Sequence, residues 1–432
     1  MKSFLIFILF FLSLNSGAQQ VLTLTGAIDT ALLNNFEIQI ARNSTEISKI
    51  NNSYGVAGGL PSVNINATNT NSQYDLNQKL STGVNIKKND VSSHSVNSGI
   101  SASMVLFNGF RVLATKERLN ILESQSELEL NQQIQNTIAA VMLSYFDILR
   151  QQSYLGIIQN SIDVSLKKTE IIQERYNVGM ANDADLLQAQ MDLSLARQDL
   201  LSQQLIIEQE KINLLEIIGV SDFFQLTIRD SIVVDQGIVK EEIISYLENN
   251  PQYLSSEQQI LINEQIVKEI RAQRYPSLRI STGYNFNYNS STAGFNLFTQ
   301  NYGPTVGASL LIPVFNGTIY KSQQDVARIN VKNAELTKEN LLTALTADAI
   351  KTYQAYESTI QQIGSQLIVY ENARKLVDIV VQRFQLNQAT ILDVKAAQTS
   401  FENAGYMLIN LQFGAKVSEI ELKRLVYQLG RE

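Results

Sequence analysis

The stretch Arg175-Tyr176-Asn177-Val178-Gly179-Met180-Ala181 is repeated in outline 208 residues later in the same chain. Five identities keep this offset, and they pair Arg175 with Arg383, Ala181 with Ala389, Asp185 with Asp393, Ala189 with Ala397 and Gln190 with Gln398. Phe107-Asn108-Gly109 and Phe315-Asn316-Gly317 show the same spacing. The chain is therefore an internal duplication. The two copies are expected to share one assembly, because a repeat unit seldom buries its apolar face alone.

One length difference separates the copies. Asn34-Asn35 and Pro61-Ser62 recur as Asn249-Asn250 and Pro276-Ser277, but at an offset of 215. The first copy thus carries seven more residues between Pro-Ser and Phe-Asn-Gly, the difference between the two offsets. Solvent-exposed loops absorb such insertions most readily, so the extra residues are expected in an exposed loop.

The first 18 residues are predicted to be a secretory signal peptide. Lys2 precedes an apolar run at residues 4–14, and Ser16-Gly17-Ala18 supplies small residues at the expected cleavage position before Gln19. The sequence contains no Cys, so it offers no disulfide, thiolate metal site or lipid-attachment cysteine. These features predict an exported bacterial protein.

Composition favours long helices and argues against several partners. Only five Pro interrupt 432 residues, and long Gln-, Asn-, Ser- and Leu-rich stretches run without a break. The net charge of -7 is spread along the chain without a basic patch, so no nucleic acid partner is expected. Beyond the signal peptide, no run approaches the 18 apolar residues typical of a membrane-spanning helix.

Heptad spacing predicts long antiparallel helices. Ile134, Val141, Ile148, Leu155 and Ile162 recur every seven residues. This spacing is typical of a coiled-coil seam. Helices are expected at about 110–177 and 183–218 in the first copy, and at about 320–386 and 390–428 in the second. The first repeat would occupy residues 19–236 and the second 237–432, each beginning with a further helix.

Strict alternation predicts four β-strands. Residues 278–288 alternate apolar side chains with Arg, Ser, Gly and Asn. Strands of about ten residues, the length needed to cross a membrane at a tilt, are expected at about 61–74, 96–107, 277–290 and 303–315. The loops at about 75–97, which holds His94, and 289–302 would lie outside the cell. Aromatic residues toward the strand ends suit the two membrane interfaces, although a soluble sheet with one helix-covered face is the alternative.

Four strands cannot close a barrel, because the smallest bacterial barrels have eight. Two chains would supply eight strands and three would supply twelve. The wider barrel leaves room for a pore, which favours a homotrimer. The predicted fold class is mainly α with transmembrane β: a duplicated repeat, long antiparallel coiled-coil helices, and four strands per chain contributing to a shared 12-stranded β-barrel in contact with outer-membrane lipid.

Several motifs together resemble the TolC-type outer membrane efflux proteins. They are Leu24 with Ala31-Leu32 and Asn34-Asn35, the entries Leu60-Pro61-Ser62-Val63 and Tyr275-Pro276-Ser277-Leu278, the two Phe-Asn-Gly exits, and Arg175-Tyr176-Asn177-Val178-Gly179 with Asp185-Leu186. The resemblance covers essentially the whole mature chain. It implies a trimer in the outer membrane of a Gram-negative bacterium, with a large periplasmic part in which the helices form an α-barrel tunnel.

The resemblance also implies a function. The chain would be the passive exit duct of a tripartite efflux or type I secretion system, docking a periplasmic adaptor (a membrane fusion protein) and, through it, an inner-membrane transporter. The docking tips would be the turns Asn177-Val178-Gly179-Met180 and Leu386-Asn387-Gln388. Gly179 and Asn387 suit the left-handed conformation needed to leave a helix.

The aperture residues implied by the resemblance are Asp185, Asp393 and Arg383. The family closes its tip with a Tyr and an Arg that bind an Asp, but in this chain those first two positions are Phe384 and Ala389. Asp185 remains, so the lock would be absent or replaced, with Arg383 as a candidate. Asp393 matches the first acidic position of the family's constriction, whereas the next is Ala396. Asp185 and Asp393 also suit a simple helix-capping role.

Other functions have weaker support. No nucleophile elbow, phosphate-binding Gly loop or metal-ligand spacing is present, so neither an enzyme nor a cofactor or metal site is expected. The single His94 offers no second ligand at useful spacing. The remaining alternative is a wholly periplasmic coiled-coil scaffold or adaptor, which shares the heptads but needs no aromatic-flanked strands.

Overall fold

The computed structural model describes residues 20–221 and 226–430, so the predicted signal peptide at 1–18 lies outside the described residues. Contacts divide the chain into two compact units. The helical unit is drawn from residues up to 43, 128–254 and 339 onwards, and the sheet unit from 44–127 and 255–338. Each dividing point falls inside a helix.

Helices and strands alternate in two similar series along the described chain. The elements in chain order are β1 (Gln20–Val21), α1 (Leu24–Asn34), α2 (Phe36–Asn51), β2 (Ser62–Lys79), β3 (Asn85–Asn108), α3 (Arg111–Asn177), α4 (Asp183–Ile217), β4 (Leu226–Thr227), α5 (Lys240–Tyr246), a 3-10 turn (Leu247–Asn249), α6 (Pro251–Ala272), β5 (Ser277–Ser291), β6 (Phe298–Leu311), α7 (Ile319–Gln385) and α8 (Ile391–Leu425).

The long helices reproduce the duplication residue by residue. Helices α3 and α7 each contain 67 residues, and α4 and α8 each contain 35. Both ends of α7 lie 208 residues after the corresponding ends of α3, and both ends of α8 lie 208 residues after those of α4. At 1.5 Å per residue, α3 and α7 are each about 100 Å long. Among the described residues, no helix is both long and apolar enough to cross a bilayer.

The predicted seam forms much of the core of the helical unit. Val141 and Ile148 are fully buried, and Ile162 and the intervening Ile138 and Tyr145 are nearly so. A large apolar cluster joins this part of α3 to α1, α4 and α8. Its other members include Ala27, Ala31, Phe146, Leu149, Leu214, Leu215, Ile218 and Ile420. Burial of this stripe explains why a sequence of modest hydropathy forms such long helices.

The sheet unit contains one antiparallel sheet in the order β2-β3-β5-β6. The two copies meet where β3 pairs with β5, with Ile100 opposite Tyr284. In the part of the chain that the structure describes, strands β2 and β6 each pair with one strand, so both edges of the sheet are open.

The first hairpin differs from the sequence prediction. Strands β2 and β3 have 18 and 24 residues rather than about ten, and β3 begins at Asn85 instead of about residue 96. Most of the predicted loop at 75–97 is therefore strand, and the turn is confined to residues 80–84. His94 lies on β3 opposite Ser290, not in a loop. The error arose because polar strand ends lack the apolar alternation from which strands were predicted.

The second hairpin is shorter and closer to the prediction. Strands β5 and β6 have 15 and 14 residues, and the connection between them spans residues 292–297. Strand β6 runs from Phe298 to Leu311, so it begins five residues and ends four residues before the predicted bounds, and more than half of the predicted loop at 289–302 is strand. The seven extra residues of the first copy thus lengthen paired strands rather than a free loop.

The two faces of the sheet differ sharply. One face carries exposed apolar and aromatic residues, among them Val63, Ile65, Ile100, Ile280, Tyr284, Tyr302, Val306 and Leu310. The other is lined mainly by small polar residues, with Arg279 as a charged residue near the start of β5. Asn285 donates to Thr305 Oγ1 (3.2 Å) and Asn287 to Asn301 Oδ1 (2.8 Å) across β5 and β6. Such a division is typical of a sheet with lipid on one side and water on the other.

Candidate functional site

The turn between α3 and α4, which we call the first tip, closes by a Schellman motif. Met180 N donates to Arg175 O (2.7 Å) and Gly179 N to Tyr176 O (3.0 Å). Gly179 has a φ of 79°. Asn182 then caps α4, since its Oδ1 accepts from Asp185 N at 2.8 Å. The motif satisfies carbonyl groups that the end of α3 leaves unpaired.

The turn between α7 and α8, the second tip, repeats this geometry with different residues. Gln388 N donates to Arg383 O (2.8 Å) and Asn387 N to Phe384 O (3.1 Å). Asn387 takes the left-handed position with a φ of 59°. The prediction that Gly179 and Asn387 leave their helices in the left-handed conformation is confirmed.

Asp393 belongs to a capping box at the start of α8. Thr390 Oγ1 accepts from Asp393 N (3.2 Å), while Asp393 Oδ2 accepts from Thr390 N (2.7 Å). The bonds from the backbone and hydroxyl of Thr390, aided by the charge of Arg383, hold the pKa of Asp393 below its usual value. The carboxylate therefore stays ionised at neutral pH while it caps the helix.

A cavity of about 510 Å³ in the helical unit brings together half of the predicted site residues. Its lining includes Met180, Asp185, Asn387, Gln388 and Asp393. The other predicted residues, Asn177, Val178, Gly179, Leu386 and Arg383, are not part of this lining. The cavity is thus bordered by both tips and by both aperture carboxylates.

Among the described residues, the hydrogen bond of Arg383 is not to Asp185. Its Nη2 donates to Gln388 O at 3.2 Å, within its own tip. The described residues contain no ion pair between Arg383 and Asp185, so the suggested replacement lock is not formed in this structure.

A different contact joins the two hairpins near their tips. The guanidinium of Arg175 lies 4.5 Å from the centre of the Phe384 ring and also donates to Phe384 O. Phe384 is buried with Ile172, Ala189 and Val394, and Ala389 packs against this cluster. The two positions where this chain departs from the family lock therefore belong to an apolar core clamped by Arg175.

A buried charge cluster, which we call the lysine–aspartate tie, joins the same hairpins further from the tips. Lys168 Nζ lies 2.5 Å from Asp192 Oδ2, and Lys395 Nζ lies 2.9 Å from Asp192 Oδ1. Lys168 is only 1% exposed. Burial by itself would raise the pKa of Asp192, but hydrogen bonds from Lys168 and Lys395 outweigh it and lower that pKa. The tie connects α3, α4 and α8.

The sequence analysis missed both inter-hairpin contacts. Lys168 and Asp192 were not singled out, because an isolated charge in a helix is usually solvated. One signal was available: Ser161, Ser165, Lys168 and Ile172 recur at helical spacing on α3. That stripe faces α4 and α8, where Gln398 donates to Ser165 Oγ at 3.2 Å.

Apolar side chains project from both tips into solvent. Val178, Met180, Leu386 and Leu392 are each about 70% exposed. Exposed apolar groups clustered at a chain reversal are typical of a protein interaction surface. In the part of the chain that the structure describes, acidic and His residues form no group of three or more that would hold a metal ion.

Two long helical hairpins, a four-stranded sheet with one apolar face and an internal duplication together define an outer-membrane channel protomer. The family model described as outer membrane efflux protein matches residues 27–220 and again residues 243–426. The chain therefore belongs to the outer membrane efflux protein family, and each of its halves carries one copy of the family repeat.

Similar proteins support this assignment. The chain is 21% identical over 358 residues to the outer membrane protein TolC of Escherichia coli, covering 80% of this chain and 72% of that protein. The CmeC outer membrane channel of Campylobacter jejuni has a similar structure, with a TM-score of 0.77 at 15% identity over 96% of this chain and 90% of that chain. VceC of Vibrio cholerae gives 0.71 at 17% identity, covering 94% and 96%.

These findings confirm the predicted family, fold class and location. The protein is a TolC-like protein of the outer membrane of Gram-negative bacteria. Its structure is mainly helical, with four antiparallel strands per chain and a large periplasmic part. It belongs to a family of efflux channels rather than enzymes.

Proposed function

We propose that three copies of this chain form a passive channel through the outer membrane. The observation that carries this is the four-stranded sheet with two open edges and one exposed apolar face. In hydrocarbon, the unpaired backbone groups of β2 and β6 need partners, because no water is available to satisfy them. Pairing β6 of one copy with β2 of the next closes the sheet.

Three copies suit a channel better than two. Twelve strands enclose a water-filled interior, whereas the interior of eight is filled by side chains. The inward face consists of Asn, Ser, Thr and Gly along most of its length. Asn285 and Asn287 on β5 donate hydrogen bonds to Thr305 and Asn301 on the neighbouring strand β6, so these side chains lie along the sheet rather than extending into the barrel interior. Such a face leaves the interior open and polar, with Arg279 as a charged residue near the start of β5.

The channel would be the exit duct of a tripartite efflux or type I secretion system. In this role both tips dock a periplasmic adaptor, which links the duct to an inner-membrane transporter. The exposed Val178, Met180 and Leu386 support this, because they give the two tips similar apolar surfaces at otherwise polar helix ends. Equal helix lengths in the two copies present these surfaces at matching positions.

Asp185 and Asp393 would line the periplasmic aperture. Both border the cavity between the tips, and a threefold arrangement would bring three copies of each carboxylate together. Like charges around a narrow axis attract cations and favour their passage. Asp393 thus combines a structural role as a capping residue with an electrostatic role at the aperture.

A wholly periplasmic scaffold fits the structure less well. It would leave the side chains of Val63, Ile65, Val306 and Leu310 exposed to water together on one sheet face. Contiguous apolar surfaces of this kind are rare on soluble monomers.

Membrane fractionation and electrophysiology test the proposal. The full chain should be recovered in outer-membrane fractions as a trimer that resists detergent, and the purified trimer should conduct ions in planar bilayers. Recovery from the soluble periplasmic fraction as a monomer would refute the channel and favour the scaffold.

A further inference from the structure

The hairpin formed by β2 and β3 extends well past the apolar band of the sheet. On β5 the band ends at Tyr288, which pairs with Val96, and Val96 in turn pairs with Asn69. Residues 70–79 of β2 continue beyond this level, and at about 3.3 Å per residue they extend the hairpin by about 30 Å. The β5–β6 hairpin ends within a few residues of the same level.

The polarity of the two faces inverts along β2. At the membrane level the inward side carries Asn64, Asn66 and Thr68, and the outward side carries Val63, Ile65 and Ala67. Above that level the inward series continues through Thr70 and Ser72 to Tyr74, Leu76 and Gln78, while the outward series becomes Gln73, Asp75, Asn77 and Lys79. Strand β2 itself has no extra residue, so alternation keeps each series on one side.

A bulge in β3 marks the level of the inversion. Tyr74 pairs with Val91 and Leu76 with Lys88, so β3 has one additional residue there. Asp90 has a φ of 64°, and its backbone N donates to Asp75 Oδ1 at 2.8 Å. A bulge bends its strand and increases the local twist. The bulge therefore changes the direction of the hairpin at the level where the apolar residues move from the outward side of β2 to the inward side.

The connection between β5 and β6 folds onto the inward side of this extension. Lys88 Nζ donates to Thr292 O (3.3 Å), and Ser92 N donates to Thr292 Oγ1 (3.0 Å). A Cβ added to Gly294 would lie 3.7 Å from Leu76 Cδ2, which places this connection against Leu76. Val91, which lies on β3 opposite Tyr74, is fully buried. The extension is thus a packed structure rather than a free loop.

Apolar groups of this connection, which lies against the inward residue Leu76, nevertheless stay uncovered. Phe295 is 72% exposed and Leu297 57%, and Val84 at the hairpin turn is also exposed. The outward side at this level is polar or charged. An apolar surface on the side facing the pore axis has one natural occupant, because the same surface of the other copies faces it across that axis.

We propose that the inward faces of the three β2–β3 extensions pack against one another over the outer mouth of the channel. The contact is an apolar interface between copies of this chain, centred on Phe295 and Leu297, and it continues the inter-copy edge formed by β2. It rests on the proposed trimeric channel. The hairpins would thereby narrow the mouth above the membrane.

Single cysteines test this contact, and the chain is suited to the experiment because it contains no Cys. Phe295→Cys and Leu297→Cys place a thiol on the inward side, and the matched controls Asn77→Cys and Lys79→Cys place one on the outward side of the same extension. All four positions are in the exposed extension or its connection, so folding should be preserved. Each full-length variant is purified in detergent, its oligomeric state is measured by light scattering, and it is oxidised under mild conditions.

The inward variants should give disulfide-linked dimers on a denaturing gel, because two of three thiols meeting at the axis come within bonding distance. The outward controls should stay monomeric on that gel. A trimer in which inward cysteines cross-link no more than outward ones would overturn this inference and leave the channel proposal standing. A protein that is monomeric by light scattering would overturn both.

Discussion

The first and second tips have the same backbone geometry, but different residues form it. Both close with the same pair of Schellman hydrogen bonds, from Met180 and Gly179 in one and from Gln388 and Asn387 in the other. The left-handed residue is Gly in the first and Asn in the second. Duplication has therefore preserved the conformation of the turn rather than its sequence, since either residue tolerates a positive φ.

The caps that follow the two turns differ in strength. Asn182 makes a single capping bond to Asp185 N at the start of α4. Thr390 and Asp393 form a reciprocal capping box at the start of α8. Asp185 is consequently free of the bond that holds Asp393 to its own helix. The second tip is the more constrained of the two, and the lysine–aspartate tie couples both.

The largest expected effect comes from breaking that tie. Asp192→Asn leaves the buried ammonium of Lys168 without a counter-charge, and loss of one partner of a buried pair costs on the order of 3 to 5 kcal/mol. Lys395→Ala should cost under about 1 kcal/mol, because that side chain is half exposed. Thermal unfolding followed by circular dichroism measures both changes.

Asp199→Asn is the matched control for this comparison. Asp199 lies on the same helix and is exposed, so its loss should leave the unfolding midpoint nearly unchanged. Equal midpoints for the Asp192 and Asp199 variants would show that the two hairpins are not coupled by the buried charge.

The contribution of Asp192 should also depend on pH. Its pKa is lower in the folded protein than the value of about 3.9 expected when unfolded. The stabilisation is therefore fully present above that unfolded value and is lost as pH falls through the folded pKa. The stability difference between wild type and Asp192→Asn should narrow as pH is lowered below about 4. A constant difference across that window would contradict the assigned pKa direction.

A smaller effect is expected from exchanging the left-handed residues. Gly179→Val forces a β-branched residue to positive φ, at a cost on the order of 1 to 2 kcal/mol. Nothing lies within 4 Å of a Cβ at Gly179, so the cost is one of backbone strain alone. If the first tip docks an adaptor, efflux should fall while the trimer still assembles.

Asn387→Gly provides the complementary change, because it keeps the left-handed geometry of the second tip. Efflux should stay near wild type in this variant. Growth in the presence of a transported compound measures both variants. Normal transport by Gly179→Val would exclude the first tip as a docking surface.

The smallest structural change is Asp393→Asn, which preserves shape and removes charge. If three copies of Asp393 line the aperture, single-channel recordings should show lower cation preference and weaker block by multivalent cations. Asp185→Asn tests the first tip in the same way. Selectivity and block that match wild type in the Asp393 variant would restrict this residue to its capping role.

Features that depend on a single helix, strand or repeat could be predicted from the sequence. Heptad spacing predicted the long helices, and the 208-residue offset predicted the duplication that their equal lengths display. The left-handed roles of Gly179 and Asn387 followed from local sterics. The aperture role of Asp185 and Asp393 stays a prediction, as does docking at the tips.

Features that depend on register between distant elements were not accessible. The contact of Arg175 with Phe384 and the pairing of Asp192 with Lys395 arise only once the two hairpins are aligned. The extent of β3 was missed because its outer half is polar on the outward side, and the reversal of the apolar side at Tyr74 interrupted the pattern. A search for inverted alternation would have found it.

The matched lengths of the helices also restrict how this chain changes over time. Each residue inserted into α3 alone would shift the first tip by about 1.5 Å and rotate it by about 100° relative to the second. Such a change would pull Arg175 away from Phe384 and misalign Asp192 with Lys395. The two halves therefore have to lengthen or shorten together. The helix length of one copy constrains the helix length of the other, even though their sequences have diverged.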